Sequence, residues 1–348
     1  NLPPLYEKIA RGHAGSAISL FERLRLGKAN DEDKQFAIKA LEIGVTRKYA
    51  RCMHILGKCY TKGLLVEVDG AKGVSLFTKA SNRGHASATA ALADLYGQGR
   101  FVTHSAEKAF ALFVKGAKQK SPYCTYRAGA CLLRGWGTDK DLPKAQEYLE
   151  LAAQRGSAAA HFMLGRFYER GWGGKTDNKK ALFHYRQSAN RNYAVAISHL
   201  GLLHEKGMYG LEKSETIAYS LYQRAHTAGD LGGSTSLARC YELGIGTKPQ
   251  PKRAVAMYQI AAKRNFSDAM LGLARCYEKG RGIGKNERRA FRLYRQVAKK
   301  GNRMAIERLA YCYENGIGCK RDPARANRLR TTIGTTHINS LFDSLGAK

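Results

Sequence analysis

Hydrophobic and polar positions recur along most of the chain with a period of 36 residues. Each period contains a large apolar residue, then glycine or alanine, and in most periods an aromatic residue four positions after the large one. Residues four apart share one face of an α-helix, so the pattern predicts a helix, named helix A, whose small residue admits a close neighbour. The large position is occupied by Leu56, Leu92, Ala128, Leu164, Leu200, Leu237, Leu273 and Leu309.

A glycine follows each predicted helix A, and a helix start signal follows each loop except one. The glycines are Gly63, Gly99, Gly135, Gly171, Gly207, Gly244, Gly280 and Gly316, spaced by 36 residues with one step of 37. The start residues are Asp69, Ser105, Asp141, Asp177, Ser214, Asn286 and Asp322. Their side-chain oxygens suit the free amides of a first helical turn. Apolar residues at i, i+4 and i+7 then predict a second helix, helix B.

The repeated helix pair decides the fold class. A unit of this size can bury its apolar face only against its neighbours, which is typical of a solenoid. We predict an all-α, α–α superhelix of about eight 36-residue units over residues 50–334. Residues 1–49 form a degenerate capping unit continuous with it, with helices at 12–26 and 34–44, and residues 335–348 form a closing helix or a tail.

The sequence motif of the units resembles that of a known family. The clearest segments are LGRFYERGWG at 164–173 with KALFHYRQSA at 180–189, and LARCYELGIG at 237–246 with RAVAMYQIAA at 253–262. They resemble the Sel1-like repeat family, which is related to the tetratricopeptide repeat. The resemblance implies that helix B lies on the outer, convex wall, and that the chain gathers protein partners.

Eight cysteines raise the question of disulfides. Five of them occupy one column, just before the helix A aromatic: Cys59, Cys131, Cys240, Cys276 and Cys312. Equivalent residues of adjacent units lie about 10 Å apart, whereas a disulfide needs Cα atoms within about 7 Å. We therefore expect free, buried thiols and a reducing compartment.

No other chemical motif is convincing. The histidines are scattered, Gly280–Lys285 lacks the spacing of a phosphate loop, and no nucleophile can be paired with a base. We expect no enzyme activity, cofactor, metal site or small-molecule substrate, and no apolar run is long enough to span a membrane. Trp136 and Trp172 share a loop column, where they either anchor a partner or pack over the loop.

Charge is the feature that exceeds ordinary composition. The chain has 59 Lys and Arg against 28 Asp and Glu, a formal charge of +31. Residues 251–330 alone hold 21 basic and 6 acidic residues, whereas 201–250 hold five of each. On the predicted helix B of the seventh unit, a basic stripe at i, i+4, i+7 and i+11 lies opposite the apolar face. We therefore expect an acidic partner.

Stacking of units widens this stripe into a patch across three units. The candidate binding residues are Lys252, Arg253, Lys263, Arg264, Arg288, Arg289, Arg292, Arg295, Lys299, Lys300, Arg325 and Arg328. RNA phosphate is the simplest polyanion for such a patch, and its binding would depend steeply on salt. No aromatic residues alternate with the basic ones, so sequence-specific reading of single strands is not expected.

Two functions from different classes compete. In the first, the protein is a structural or assembly subunit of a ribonucleoprotein, above all a mitochondrial ribosome, with the basic wall on RNA and the groove holding protein subunits. The basic charge, reduced cysteines and a first residue other than methionine agree with a mitochondrial protein that has lost a targeting segment, and a trimmed sequence would look the same. In the second, it is a cytoplasmic, protein-only adaptor for quality control or signalling. A secreted bacterial effector is a third possibility.

Overall fold

The computed structural model describes residues 31–331, and all regular structure in that range is helical. The helices are α1 (Asp31–Thr46), α2 (Ala50–Lys62), α3 (Gly70–Asn82), α4 (Ala86–Gln98), α5 (Ala106–Lys118), α6 (Pro122–Arg134), α7 (Leu142–Gln154), α8 (Ala158–Arg170), α9 (Asn178–Asn190), α10 (Ala194–Lys206), α11 (Glu215–Thr227), α12 (Leu231–Leu243), α13 (Pro251–Lys263), α14 (Ser267–Lys279), α15 (Glu287–Ala298), α16 (Arg303–Asn315) and α17 (Pro323–Thr331). From α2 onward, even numbers are helix A and odd numbers are helix B. Repeat 1 is therefore α2–α3 and repeat 8 is α16–α17.

The chain forms two compact units that divide within α9, between His184 and Tyr185. In the first unit the helices A of successive repeats pack on one another, from α4 to α6 and from α6 to α8. In the second unit α10, α12 and α14 pack in the same way. Among the described helices, successive helices B are farther apart, so the helices A of each unit make the tighter layer.

Side-chain caps explain where helix B begins. All seven predicted cap residues accept a hydrogen bond from the backbone amide three positions later, as in Asn286 Oδ1 with Arg289 N at 2.9 Å. Gln250, where the predicted column fails, makes no such bond. A second cap column, which the sequence analysis missed, begins helix A at Ser121, Ser157, Asp230 and Asn302.

The small residue of helix A makes room for helix B, as predicted. A Cβ on Gly201 would lie 2.7 Å from the ring of Tyr222, and one on Gly57 would lie 2.8 Å from Phe77. The aromatic residues of helix B are consequently buried, at most 2% exposed: Phe77, Phe113, Tyr185, Tyr222, Tyr258 and Tyr294.

A second glycine of the loop sets the contact between repeats. Gly318 has φ of 70°, and a Cβ there would lie 2.1 Å from the carbonyl oxygen of Glu287 in the preceding repeat. In repeat 2 the equivalent residue is Phe101, also at positive φ. Its ring fits because Gly70 of the preceding repeat has no side chain.

The remaining expectations have mixed outcomes. Helix 34–44 is confirmed within α1, while 12–26 and 335–348 lie outside the described residues.

Seven of the cysteines are buried, and Cys319 is half-buried. Burial raises the pKa of the Cys59 thiol to about 12. Trp136 packs over Gly97 of α4 in the preceding repeat, and Trp172 meets Phe167 of its own repeat edge-on.

Candidate nucleic-acid interface

The predicted basic stripe lies on the solvent side of α15. Arg288, Arg292 and Lys299 are exposed and Arg295 is half-buried. The opposite side of the helix, including Ala290, Tyr294 and Val297, is buried. The tyrosine belongs to the buried aromatic column, so the orientation of the stripe is fixed by the core of repeat 7.

Neighbouring helices extend the stripe with side chains that no acid neutralises. Lys252, Lys263 and Arg264 in and just after α13 are exposed. None of them, and none of the four basic residues of the α15 stripe, forms an ion pair with a carboxylate of residues 34–331. We call these seven residues the outer basic face: Lys252, Lys263, Arg264, Arg288, Arg292, Arg295 and Lys299. Arg328 is exposed on α17 and has a further interaction of its own.

Three of the predicted binding residues make contacts within their own repeats. The Arg253 guanidinium lies 4.5 Å from the ring centre of Tyr241. The pairs Arg289 with Tyr277 and Arg325 with Tyr313 repeat this geometry at 5.6 and 5.8 Å. Arginine over an aromatic face is attracted by the ring quadrupole. These arginines therefore hold helix B on helix A, a role that the sequence analysis missed.

Lys300 has a comparable role between repeats. Its Nζ donates to the backbone oxygen and to Oδ1 of Asn265 at 2.9 and 2.8 Å. The signal for the arginine contacts was present in the sequence, because Lys72, Lys108 and Lys180 occupy the same column opposite tyrosines. The side chains of the outer basic face make neither kind of interaction with the described residues: no cation–π contact with an aromatic ring and no hydrogen bond to the preceding repeat.

Buried glutamates hold a second set of arginines on the helix A layer. Glu242 is 6% exposed and accepts a hydrogen bond from the Tyr258 hydroxyl of its own repeat at 3.0 Å. It also accepts one from Arg275 of the next repeat at 3.3 Å. We call this arrangement the glutamate ladder.

Two further steps of the ladder have the same chemistry. Glu205 joins Tyr222 to Arg239, and Glu278 joins Tyr294 to Arg308.

At one step, the ladder keeps its carboxylate charged. Burial alone would raise the pKa of Glu205, but hydrogen bonds from Arg239 and Tyr222 outweigh it and lower that pKa. Burial and the adjacent carboxylate together raise the pKa of Tyr222. Each ladder arginine thus has its counter-ion inside the protein, whereas the residues of the outer basic face have none among the described residues.

The repeat matches a known family over most of the chain. The model of the Sel1 repeat matches residues 50–85, 86–121, 122–157, 158–193, 194–230, 235–266, 267–302 and 303–329. The chain belongs to the Sel1 repeat family. Its fold is therefore of the protein-interaction scaffold type, and the expected all-α repeat architecture is confirmed.

Solved Sel1 repeat structures agree with this assignment. A Sel1 repeat protein from Oxalobacter formigenes is 30% identical, with 71% of this chain and 97% of that chain covered and a TM-score of 0.61. A protective antigen of uropathogenic Escherichia coli strains is 22% identical, with 99% and 89% covered and a TM-score of 0.53. No curated protein sequence matches the chain. Within residues 31–331, no Sel1 helix has both the length and the apolar character to cross a membrane.

Proposed function

We propose that this protein is a non-catalytic scaffold of a ribonucleoprotein and that the outer basic face binds the RNA backbone. The observation that carries the proposal is the set of seven basic side chains in repeats 6 and 7 without a carboxylate partner. Like charges that share a surface repel one another, and a polyanion relieves that repulsion. The formal charge of +31 makes the protein as a whole attractive to nucleic acid.

Charge of this kind supports binding by shape and backbone. Arg288, Arg292 and Lys299 are long, exposed side chains along α15 and at its C-terminal end, which suits contacts with successive phosphates. Of the aromatic residues on the same helix, Tyr294 is buried and Phe291 is half-buried against Tyr313. Stacking on unpaired bases is thus left out of the proposal, and affinity should depend little on sequence.

The test is RNA binding across a salt series. The variant combines Arg288→Gln, Arg292→Gln, Arg295→Gln and Lys299→Gln. The control variant removes the same charge from exposed residues of the first unit: Lys39→Gln, Lys62→Gln, Arg83→Gln and Lys118→Gln. Each phosphate contact contributes about 0.7 to the slope of log affinity against log salt for single strands, so we expect the slope to fall by about 2–3 in the first variant only.

The outcomes separate the two candidate functions. Equal slopes for the two variants would mean that RNA responds to net charge alone, and the outer basic face would have no special role. Absence of RNA binding by the wild type would leave the protein-only adaptor as the better account. The proposal extends to a mitochondrial ribosome, for which the requirement is co-sedimentation of the endogenous protein with mitochondrial ribosomal RNA.

A further inference from the structure

A cavity of about 360 Å³ opens between repeats 3 and 4 of the first unit. Its apolar walls are Leu133, Phe162, Met163 and Trp172. Its polar lining is entirely cationic and consists of Arg134, Lys140 and Arg166. Binding sites of this size commonly combine apolar walls with a few fixed polar groups. We call this cavity the repeat 3–4 pocket.

The second unit shows what an arginine at the position of Arg166 can bind. Arg166 occupies the column of Arg239 and Arg275, which bind the buried glutamates Glu205 and Glu242 of the preceding repeats. In repeat 3 the glutamate column holds leucine, at Leu133. The pocket therefore has the arginine of the glutamate ladder but lacks the carboxylate.

The hydrogen bonding of Arg166 agrees with an incomplete site. Its Nε is buried without a hydrogen-bond partner, although it lies 3.3 Å from Glu169 Oε2, one turn along the same helix. Arg134 and Lys140 are exposed and form no ion pair with a carboxylate of residues 34–331. One internal acid thus faces three cations. A guanidinium offers several donors in a fork that matches a carboxylate.

We propose that the repeat 3–4 pocket docks an acidic segment of a partner protein, with one carboxylate on Arg166 and an apolar side chain against Trp172 and Met163. The charge of the lining favours an acidic occupant, and the apolar walls favour an anchor residue beside the acids. The scaffold fold makes a protein segment the fitting source of both groups. This site lies in the first unit and is independent of the proposed RNA contact.

The experiment uses the full chain and a defined peptide. The probe is the blocked peptide Asp-Asp-Phe-Asp-Asp, and the readout is tryptophan fluorescence in a Trp136→Phe background. The chain has two tryptophans, so the signal then comes from Trp172 alone. We expect a saturable fluorescence change with this peptide, and much weaker binding when glycine replaces its phenylalanine.

The decisive variant completes the ladder within the protein. Leu133→Glu places a carboxylate where Glu205 and Glu242 stand in other repeats, and it should compete with the peptide and weaken its binding about tenfold or more. Leu133→Gln is the uncharged match and should weaken binding far less. Arg134→Gln with Lys140→Gln should also weaken binding, whereas Lys39→Gln with Lys62→Gln should not.

Far-UV circular dichroism of each variant checks that the helices are retained. Equal binding by Leu133→Glu and Leu133→Gln would overturn the proposal, and so would equal binding of the glycine peptide. Absence of any saturable change with folded wild-type protein would also overturn it. Binding of benzoate as tightly as the peptide would identify a small anionic ligand instead of a protein segment.

Discussion

Replacing Glu242 by leucine should destabilise the second unit in a way that reveals the glutamate ladder. The change leaves the Tyr258 hydroxyl, on a side chain only 1% exposed, without its acceptor. A buried hydroxyl that loses its partner costs about 1–3 kcal/mol. Arg275 is 37% exposed and can return to water, so its lost ion pair adds only about 0.5–1 kcal/mol. The expected total is about 1.5–4 kcal/mol of unfolding free energy.

The partner substitution shows whether the two groups act together. Tyr258→Phe should cost about 1.5–3 kcal/mol, because a hydrogen bond to a charged group is lost. In the double variant no hydroxyl remains unsatisfied, so its cost should fall short of the sum of the single costs by about 1 kcal/mol or more. Repeat 3 already holds an apolar pair in these two columns, Leu133 and Leu149, and both are buried.

The assay is urea unfolding followed by two signals. Far-UV circular dichroism reports on helices in both units, while tryptophan fluorescence reports on the first unit because Trp136 and Trp172 both belong to it. We expect the dichroism transition to move to lower urea and the fluorescence transition to serve as an internal reference. Single-variant costs that simply add would refute the claim that glutamate and tyrosine form one buried unit.

Two further measurements test the loop contact and the titration of a half-buried histidine. Gly318→Ala should lower the unfolding free energy by more than about 2 kcal/mol in thermal or urea unfolding, because the residue has positive φ and the new Cβ would lie 2.1 Å from the Glu287 oxygen. Gly284→Ala is the control and should be nearly neutral, since no atom beyond its chain neighbours lies within 4 Å of its Cβ position. Equal costs for the two variants would contradict the steric argument. Burial, with His85 and other cations nearby, lowers the pKa of His54 from 6.5 to about 4. Below about pH 6.5 the unfolded chain therefore binds a proton at His54 that the folded chain does not bind. The unfolding free energy should fall by roughly 1–2 kcal/mol from pH 7 to pH 5, a range that allows for the partial exposure of His54. His54→Phe should make the unfolding free energy depend less on pH.

The fold was predictable because its signals are local. A cap such as Asp69 needs only the amide three residues later, and the small residue at Gly57 needs only the helix B aromatic of its own repeat. Both interactions recur in most periods, with Gln250 as the exception among the helix B caps. The eight repeats of this one sequence can be compared with each other in the way that homologous sequences are compared in an alignment. The comparison shows which positions of the repeat vary and which do not.

The glutamate ladder was less accessible to sequence reasoning because each step spans two repeats. Glu242 lies near the end of helix A, where a charged residue is ordinarily solvated, and only the packing of Tyr258 and Arg275 buries it. A signal was nevertheless present. Glutamate, tyrosine and arginine occur together in these columns in the second unit, whereas repeat 3 replaces the first two with Leu133 and Leu149.

That replacement connects the two proposals. In the second unit the carboxylates that neutralise the helix A arginines are internal, whereas the cations of the outer basic face, in or just after helix B, have no internal carboxylate. In repeat 4 of the first unit, Arg166 lacks the glutamate of a preceding repeat, so positive charge is left beside an apolar cavity on the helix A side. One repeated frame thus yields two positively charged surfaces of different character. A flat row of cations suits a uniform polyanion, whereas cations around an apolar cavity suit an acidic segment with an anchor residue.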